Sequence, residues 1–138
     1  MKAKVSFILI VFISLTSFIC YSPPPKNFAG TFSNGMKGAK LTFTLSADEK
    51  SISDVTFIGY WRCSGRLELT TLGPSRSVKV QNGNISAIVV EPENGGATAM
   101  RYEINGTIKG KQATGTFRMN LNALGCDTYK LNWTAVAK

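Results

Sequence analysis

The amino-acid sequence predicts an all-β protein, a single antiparallel β-sandwich of about eight or nine short strands. Apolar and polar residues alternate with a period of two in successive segments of residues 27–138, as they do in strands with one buried face. Turn-forming residues separate these segments, and no amphipathic helical stretch of useful length interrupts them. A small up-and-down β-barrel, in which one sheet closes on itself, is the alternative that the same pattern leaves open.

The N-terminal segment, residues 1–22, has the layout of a signal peptide for export. Lys2 and Lys4 precede an apolar run at residues 5–20. As a helix with about 1.5 Å per residue, this run would measure roughly 24 Å, whereas a bilayer core needs about 30 Å. A cleaved signal is therefore favoured. A lipoprotein signal with Cys20 as the lipidation site, or an uncleaved anchor, is the alternative.

A Pro-rich tether, residues 23–26, leads to the predicted β domain at residues 27–138, whose length suits one ordinary domain. The formal charge falls from +8 to +6 once Lys2 and Lys4 are removed, and the other basic residues are scattered singly. No basic stripe of the kind that enters a nucleic-acid groove is present, so we expect no nucleic-acid partner. An envelope glycan, an anionic surface or another protein is the expected kind of partner.

The sequence contains no histidine. This absence removes the Ser-His-Asp and Cys-His nucleophiles, histidine-ligated metals and the commonest general base near neutral pH. We therefore expect no metal, no cofactor, no catalytic residue and no enzyme activity. The less favoured alternative is a glycan-acting enzyme with paired carboxylates, for which Glu68 and Glu103 are the strand residues to consider.

The first three strands place apolar residues at alternate positions. In the third strand, residues 53–63, the side chains of Ile58, Tyr60 and Arg62 are expected on the face away from the core. The inward sets of these strands are Phe28, Gly30 and Phe32; Leu41, Phe43 and Leu45; and Val55, Phe57, Gly59, Trp61 and Cys63.

The later strands follow the same rule. Leu67 and Leu69 begin a short fourth strand, and Asn82-Gly83 predicts a tight hairpin because both residues adopt positive φ angles readily. The inward sets that follow are Val78 and Val80; Met100, Tyr102, Ile104, Gly106 and Ile108; Gly115, Phe117, Met119 and Leu121; and Tyr129, Leu131, Trp133 and Ala135.

Cys63 and Cys126 are the two cysteines of the predicted β domain. In an exported protein such a pair is normally oxidised, so we expect a structural disulfide. The bridge would close a loop of 64 residues. A loop of this length corresponds to about 4 kcal/mol of stabilisation in the chain-entropy treatment.

Aromatic residues on an outward face are candidates for ligand contact, because exposed flat rings bind the apolar faces of sugars. Tyr60 is the best candidate, and Arg62 lies on the same face of its strand. Tyr129 and Trp133 are expected in the core instead.

Four short pieces resemble uncharacterised exported bacterial β domains that contain one cysteine pair. The resemblance covers most of the predicted β domain, and it implies a disulfide-linked β domain without a known activity. The pieces are Ala29-Gly30-Thr31-Phe32, Ile58-Gly59-Tyr60-Trp61-Arg62-Cys63, Ala113-Thr114-Gly115-Thr116-Phe117 and Cys126-Asp127-Thr128-Tyr129-Lys130-Leu131-Asn132-Trp133.

Together these features favour an exported, non-catalytic binding or interaction module at the cell envelope. The expected location is secreted, periplasmic or in the cell envelope, with attachment to the membrane through the N-terminus as the alternative. A lipid-anchored structural component of the envelope is the alternative function.

Overall fold

The computed structural model describes residues 21–138. The apolar run and the candidate lipidation site Cys20 lie outside the described residues. No helix within the described part of the chain has the length and apolar character needed to cross a lipid bilayer. The strands are β1 (Lys26–Phe32), β2 (Lys40–Leu45), β3 (Ser51–Cys63), β4 (Arg66–Leu72), β5 (Val78–Gln81), β6 (Asn84–Glu91), β7 (Met100–Lys109), β8 (Gln112–Leu121), β9 (Cys126–Asp127) and β10 (Leu131–Ala137), with a 3₁₀ turn at Asn122–Leu124.

The prediction of an antiparallel all-β fold is confirmed, since every strand pairing is antiparallel. The pairings form one continuous circuit in the order β1–β2–β3–β5–β6–β7–β8–β10, and β10 pairs with β1 to complete it. The sheet therefore closes on itself. Strands β4 and β9 lie outside this circuit, because β4 pairs with β3 and β9 lies between β3 and β8.

The two ends of the closed sheet differ in their connections. One end has short turns, including the predicted hairpin at Asn82-Gly83, where φ is 51° and 76°. The other end has longer connections, and we call it the loop end. Its segments are residues 33–39, 92–99 and 122–130, together with the tip of the β3–β4 hairpin at residues 64–65.

Strand β3 begins at Ser51 rather than at Ser53, and it contains a β-bulge near its start. Thr42 is opposite Thr56 whereas Thr44 is opposite Ser53, so β3 has one extra residue there, and Asp54 has a φ of 52°. A bulge of this kind shifts the alternation by one position. As a result Ile52 joins the inward set predicted for the rest of the strand.

The interior of the closed sheet is filled by large side chains. Phe28 stacks on Phe43 with ring centroids 4.9 Å apart, and Phe43 contacts Trp133 edge-on at 5.8 Å. Closer to the loop end, Phe57 stacks on Phe117 at 5.5 Å. Burial of these rings stabilises the fold, and their stacked and edge-on arrangements add favourable interactions between the rings.

Two glycines make room for the largest of these rings. Gly106 lies opposite Gly115 across β7 and β8, and Gly115 lies opposite Trp133 across β8 and β10. A Cβ atom on Gly115 would lie 2.6 Å from the Trp133 ring and 1.9 Å from the carbonyl oxygen of Asn105. Glycine is required here because the indole occupies the space that a side chain would need.

We predict that Gly115→Ala lowers the free energy of unfolding by about 1–3 kcal/mol, because the added methyl group overlaps the indole and the neighbouring backbone. Chemical denaturation measures this change. Thr114→Ala, on the exposed face of the same strand, is the matched control, with an expected effect within about 0.5 kcal/mol. Equal stabilities of the two variants would contradict this account of Gly115.

Candidate functional site

A groove of about 230 Å³ lies at the loop end, between the β1–β2 connection, the end of β3, the start of β4 and the segment that follows β9. Phe57 and Trp61 form its floor, so the groove rests directly on the aromatic core. We call it the loop-end groove. Its walls include Met36, Tyr60, Arg62, Leu67, Tyr129 and Lys130.

Strand β3 contributes one wall, because alternate residues of a strand point to opposite faces. Tyr60 and Arg62 point outward, as the alternation predicts, and the side chain of Tyr60 is 43% exposed. Strand β4 lies beside them, with Leu69 opposite Tyr60 and Leu67 opposite Arg62. The structure therefore places both sequence-predicted contact residues on the groove, while their role in binding stays a prediction.

Tyr129 also lines the groove, and the prediction that it lies in the core is wrong. The residue is 58% exposed, whereas Trp133 is buried as expected. Strand β10 begins only at Leu131, and Tyr129 has a φ of 56°, in the left-handed region. The backbone reverses there, so the alternation of β10 does not extend back to this residue.

Asp127 holds the backbone of Tyr129 in this conformation. Its Oδ1 atom accepts a hydrogen bond of 2.7 Å from the Tyr129 amide, which is the geometry of an Asx turn. Thr128 is buried, donates its amide to the Met119 carbonyl at 2.9 Å and accepts the Met119 amide at its hydroxyl at 2.9 Å. The tyrosine is thus fixed to strand β8 through its two preceding residues. Asp127 two positions earlier was the sequence signal for this turn.

Asn34 fixes the β1–β2 connection to the same segment. Its side-chain amide donates to the carbonyl of Lys130 at 3.0 Å, and its oxygen accepts the amide of Asn132 at 2.6 Å. Two neighbouring parts of the groove are therefore joined to each other by hydrogen bonds. Such bonds order the loops before a ligand arrives, so less conformational entropy is lost when it binds.

The predicted disulfide joins β3 to β9 next to the groove. The sulfur atoms of Cys63 and Cys126 are 2.02 Å apart, in agreement with the predicted bridge, and the two residues are directly opposite in the β3–β9 pairing. Both cysteines are buried. Because β9 has only two residues, the covalent bond is an important part of what keeps it between β3 and β8.

The charges around the groove are predominantly positive. Arg118 donates to both oxygens of Asp127, at 3.1 and 2.6 Å, and this hydrogen bonding raises the pKa of the Arg118 guanidinium. The carboxylate of Asp127 is thus neutralised. Within residues 21–138 neither Arg62 nor Lys130 takes part in an ion pair, so their two positive charges remain available.

Glu68 and Glu103, the residues considered for paired-carboxylate chemistry, are on strands that do not pair with each other. Glu68 lies on β4 opposite Trp61, whereas Glu103 lies on β7 and accepts a 3.0 Å hydrogen bond from Arg101. The loop-end groove is lined by neither residue. The structure therefore does not bring these two carboxylates together at the groove.

Two grooves of about 420 and 500 Å³ lie on the outer surface of the sheet, and a third cavity, of about 320 Å³, lies against the buried residues Phe28 and Phe43. Threonine, alanine and lysine residues of β1, β2 and β10 line most of the first, and residues of β5 and β6 line most of the second. Neither of these two grooves contains an aromatic side chain, and the aromatic rings of the third cavity are buried. The loop-end groove, although smaller, combines exposed rings with free charges, and this chemical diversity makes it the better candidate.

Comparisons of this chain with protein-family models, curated proteins and solved structures find no match. The chemistry of the groove therefore has to be inferred from its own residues.

We predict that replacing both cysteines by alanine lowers the free energy of unfolding by up to about 4 kcal/mol. The loss should be accompanied by faster amide hydrogen exchange in residues 122–130, because β9 would then be held by few backbone contacts. Hydrogen exchange at the distant β5–β6 hairpin is the internal control. Unchanged exchange at β9 would show that the disulfide is not what holds this strand.

Proposed function

We propose that this chain is an exported, non-catalytic binding module of the cell envelope, and that its loop-end groove binds a saccharide carrying an anionic group. The observation that supports this proposal is the presence of Tyr60 and Tyr129, two exposed rings, on one groove with the free charges of Arg62 and Lys130.

The two tyrosines suit a sugar because each ring offers an apolar face and a polar hydroxyl. Sugars have apolar patches of C–H groups that pack against such faces, while their hydroxyl groups bind polar neighbours. Tyr60 is held by a strand and Tyr129 by the bonds of Asp127 and Thr128. Little conformational entropy would be lost on binding, because the backbone at both rings is already ordered.

The free positive charges favour an acidic ligand over a neutral one. A guanidinium and an ammonium group both bind carboxylate, sulfate or phosphate groups, and a guanidinium can do so with two parallel hydrogen bonds. Arg62 and Lys130 line the same groove. Asp127 lies opposite Arg62 in the β3–β9 pairing, but its carboxylate oxygens accept hydrogen bonds from Arg118 and form no ion pair with Arg62.

The disulfide supports export, because a bridge of this kind is compatible with an oxidising compartment outside the cytosol. The basic, apolar start of the chain supports the same route. Acidic polysaccharides are ligands that such a compartment offers. Lipidation at Cys20 would tether the module without altering the groove.

We predict that Tyr60→Ala and Tyr129→Ala each weaken binding of an acidic oligosaccharide by about two- to tenfold, which corresponds to ~0.5–1.5 kcal/mol per aromatic contact. An array of acidic and neutral oligosaccharides identifies the ligand, and titration calorimetry then measures the affinity. Ile88→Ala removes an equally exposed apolar side chain on β6 and should leave binding unchanged. If the double variant Tyr60→Ala/Tyr129→Ala bound the ligand with wild-type affinity, this groove would not be the binding site.

We predict that the double variant Arg62→Gln/Lys130→Gln loses its preference for acidic over neutral oligosaccharides. Wild-type affinity for the acidic ligand should fall as salt rises, because exposed charges are screened, and this dependence should flatten in the variant. The double variant Lys79→Gln/Lys109→Gln removes two exposed positive charges outside the groove and is the control for the change in net charge. An unaltered preference in the double variant would show that these two charges do not select the ligand.

A further inference from the structure

Strand β4 has a neighbour on one side only. It pairs with β3 along its whole length, from Arg66 opposite Cys63 to Leu72 opposite Phe57. After Leu72 the chain passes to β5, which has β3 on one side and β6 on the other. Among the strands of residues 21–138, β4 alone pairs with a single strand. One row of its backbone N–H and C=O groups therefore faces outward without a partner strand.

Sheet edges are normally protected by proline, charged side chains (lysine above all), a bulge or a covering segment. Strand β4 contains no proline and its pairing with β3 shows no bulge. It contains two charged residues, Arg66 and Glu68, and their charges are opposite, so they do not form the row of like charges that would repel a second copy of the strand. Its outward-facing leucines are well exposed, at 48% for Leu67 and 65% for Leu69. The edge thus has the properties of a strand that accepts another strand.

The charges on β4 indicate which strand it accepts. Arg66 and Glu68 have opposite charges and share the face of the strand that Leu67 does not occupy. In an antiparallel pairing of two copies centred on Leu67, each Arg66 lies opposite Glu68 of the other copy. Two attractive pairs then form, and the two Leu67 side chains pack together. The sequence of β4 is therefore complementary to itself.

A pairing centred on Leu69 is the competing register. It would place the two Glu68 side chains diagonally near each other and leave each Arg66 opposite Leu72. It would pair all of Arg66–Leu72 with the same strand of the other copy, whereas within β4 the register centred on Leu67 pairs Arg66–Glu68 alone. The charges oppose this register and favour the one centred on Leu67.

We propose that two copies of this chain associate through antiparallel pairing of their β4 edges, with the two-fold axis at Leu67. A two-fold interface uses the same surface on both copies, which is what a self-complementary strand provides. The result is one sheet that continues from β3 and β4 of the first copy into β4 and β3 of the second.

The dimer also brings together the two loop-end grooves, since Leu67 lines the groove and lies at the axis. This consequence rests on the proposed saccharide binding, whereas the β4 pairing does not. A long acidic polymer would contact both grooves and gain affinity from the second contact.

Sedimentation velocity on protein expressed from the full chain, without ligand, tests the pairing. The wild type should show a concentration-dependent dimer. Arg66→Glu and Glu68→Arg should each raise the dimer Kd about tenfold or more, because two attractive pairs become repulsive. The double variant Arg66→Glu/Glu68→Arg exchanges the two charges and should restore the dimer. Lys79→Glu is the matched charge reversal and should leave the dimer Kd unchanged.

A wild type that stays monomeric at all concentrations would overturn the proposal, as would a dimer that none of the β4 variants affects. A β4 edge occupied by a strand of a different protein, with no self-association, would overturn it too. Circular dichroism of each variant verifies that the fold is retained. Because the dimer is measured without saccharide, its failure leaves the result of the oligosaccharide titrations unaffected.

Discussion

The loop end of the molecule depends on the position of β9, a two-residue strand that lies between β3 and β8. Two residues of backbone pairing are too few to hold a strand against thermal opening, so the Cys63–Cys126 bond supplies the missing constraint. Asp127 and Thr128 follow at once and fix the next turn through Arg118 and Met119. The disulfide thereby holds β9 in place, and the hydrogen bonds of Asp127 and Thr128 set the direction in which the chain presents Tyr129.

The packing of the interior explains why the candidate site lies at the end of the closed sheet. Stacked aromatic rings occupy the inside, and the Phe57–Phe117 pair lies beneath the loop-end groove. The groove therefore has an apolar floor and walls that combine apolar, aromatic and charged side chains. Phe57 belongs both to the core and to the lining of the groove, so core packing fixes the floor.

Strand β4 takes part in both of the surfaces that we assign to this molecule, the loop-end groove and the proposed dimer interface. Its first leucine lines the groove, and its open edge is the place where a second copy would pair. Strand β4 lies outside the closed circuit. It pairs with β3 at Phe57–Cys63, whereas β5 pairs with the start of β3, at Ser51 and Ile52, and continues the circuit to β6. The outer edge of β4 thus remains without a partner strand, next to the candidate site.

Much of this arrangement was readable from residue order, because alternation is a local property. The inward sets of β1, β2 and β3, the Asn82-Gly83 hairpin and the outward position of Tyr60 and Arg62 all follow from a period of two and from turn chemistry. The cysteine pair was predictable for a different reason, since the β domain contains two cysteines, Cys63 and Cys126, and two cysteines allow only one bridge within the domain.

The site itself was only half predictable. Alternation from Leu131 back to Tyr129 predicts a buried tyrosine. The structure differs because the side chain of Asp127 accepts the Tyr129 amide and Tyr129 adopts a positive φ, so the strand pattern ends before it. Closure of the sheet, the open edge of β4 and the approach of Tyr129 to the β3 wall all depend on which strands become neighbours. Pairing between residues far apart in the chain is settled by packing of the whole interior, and no local pattern encodes it.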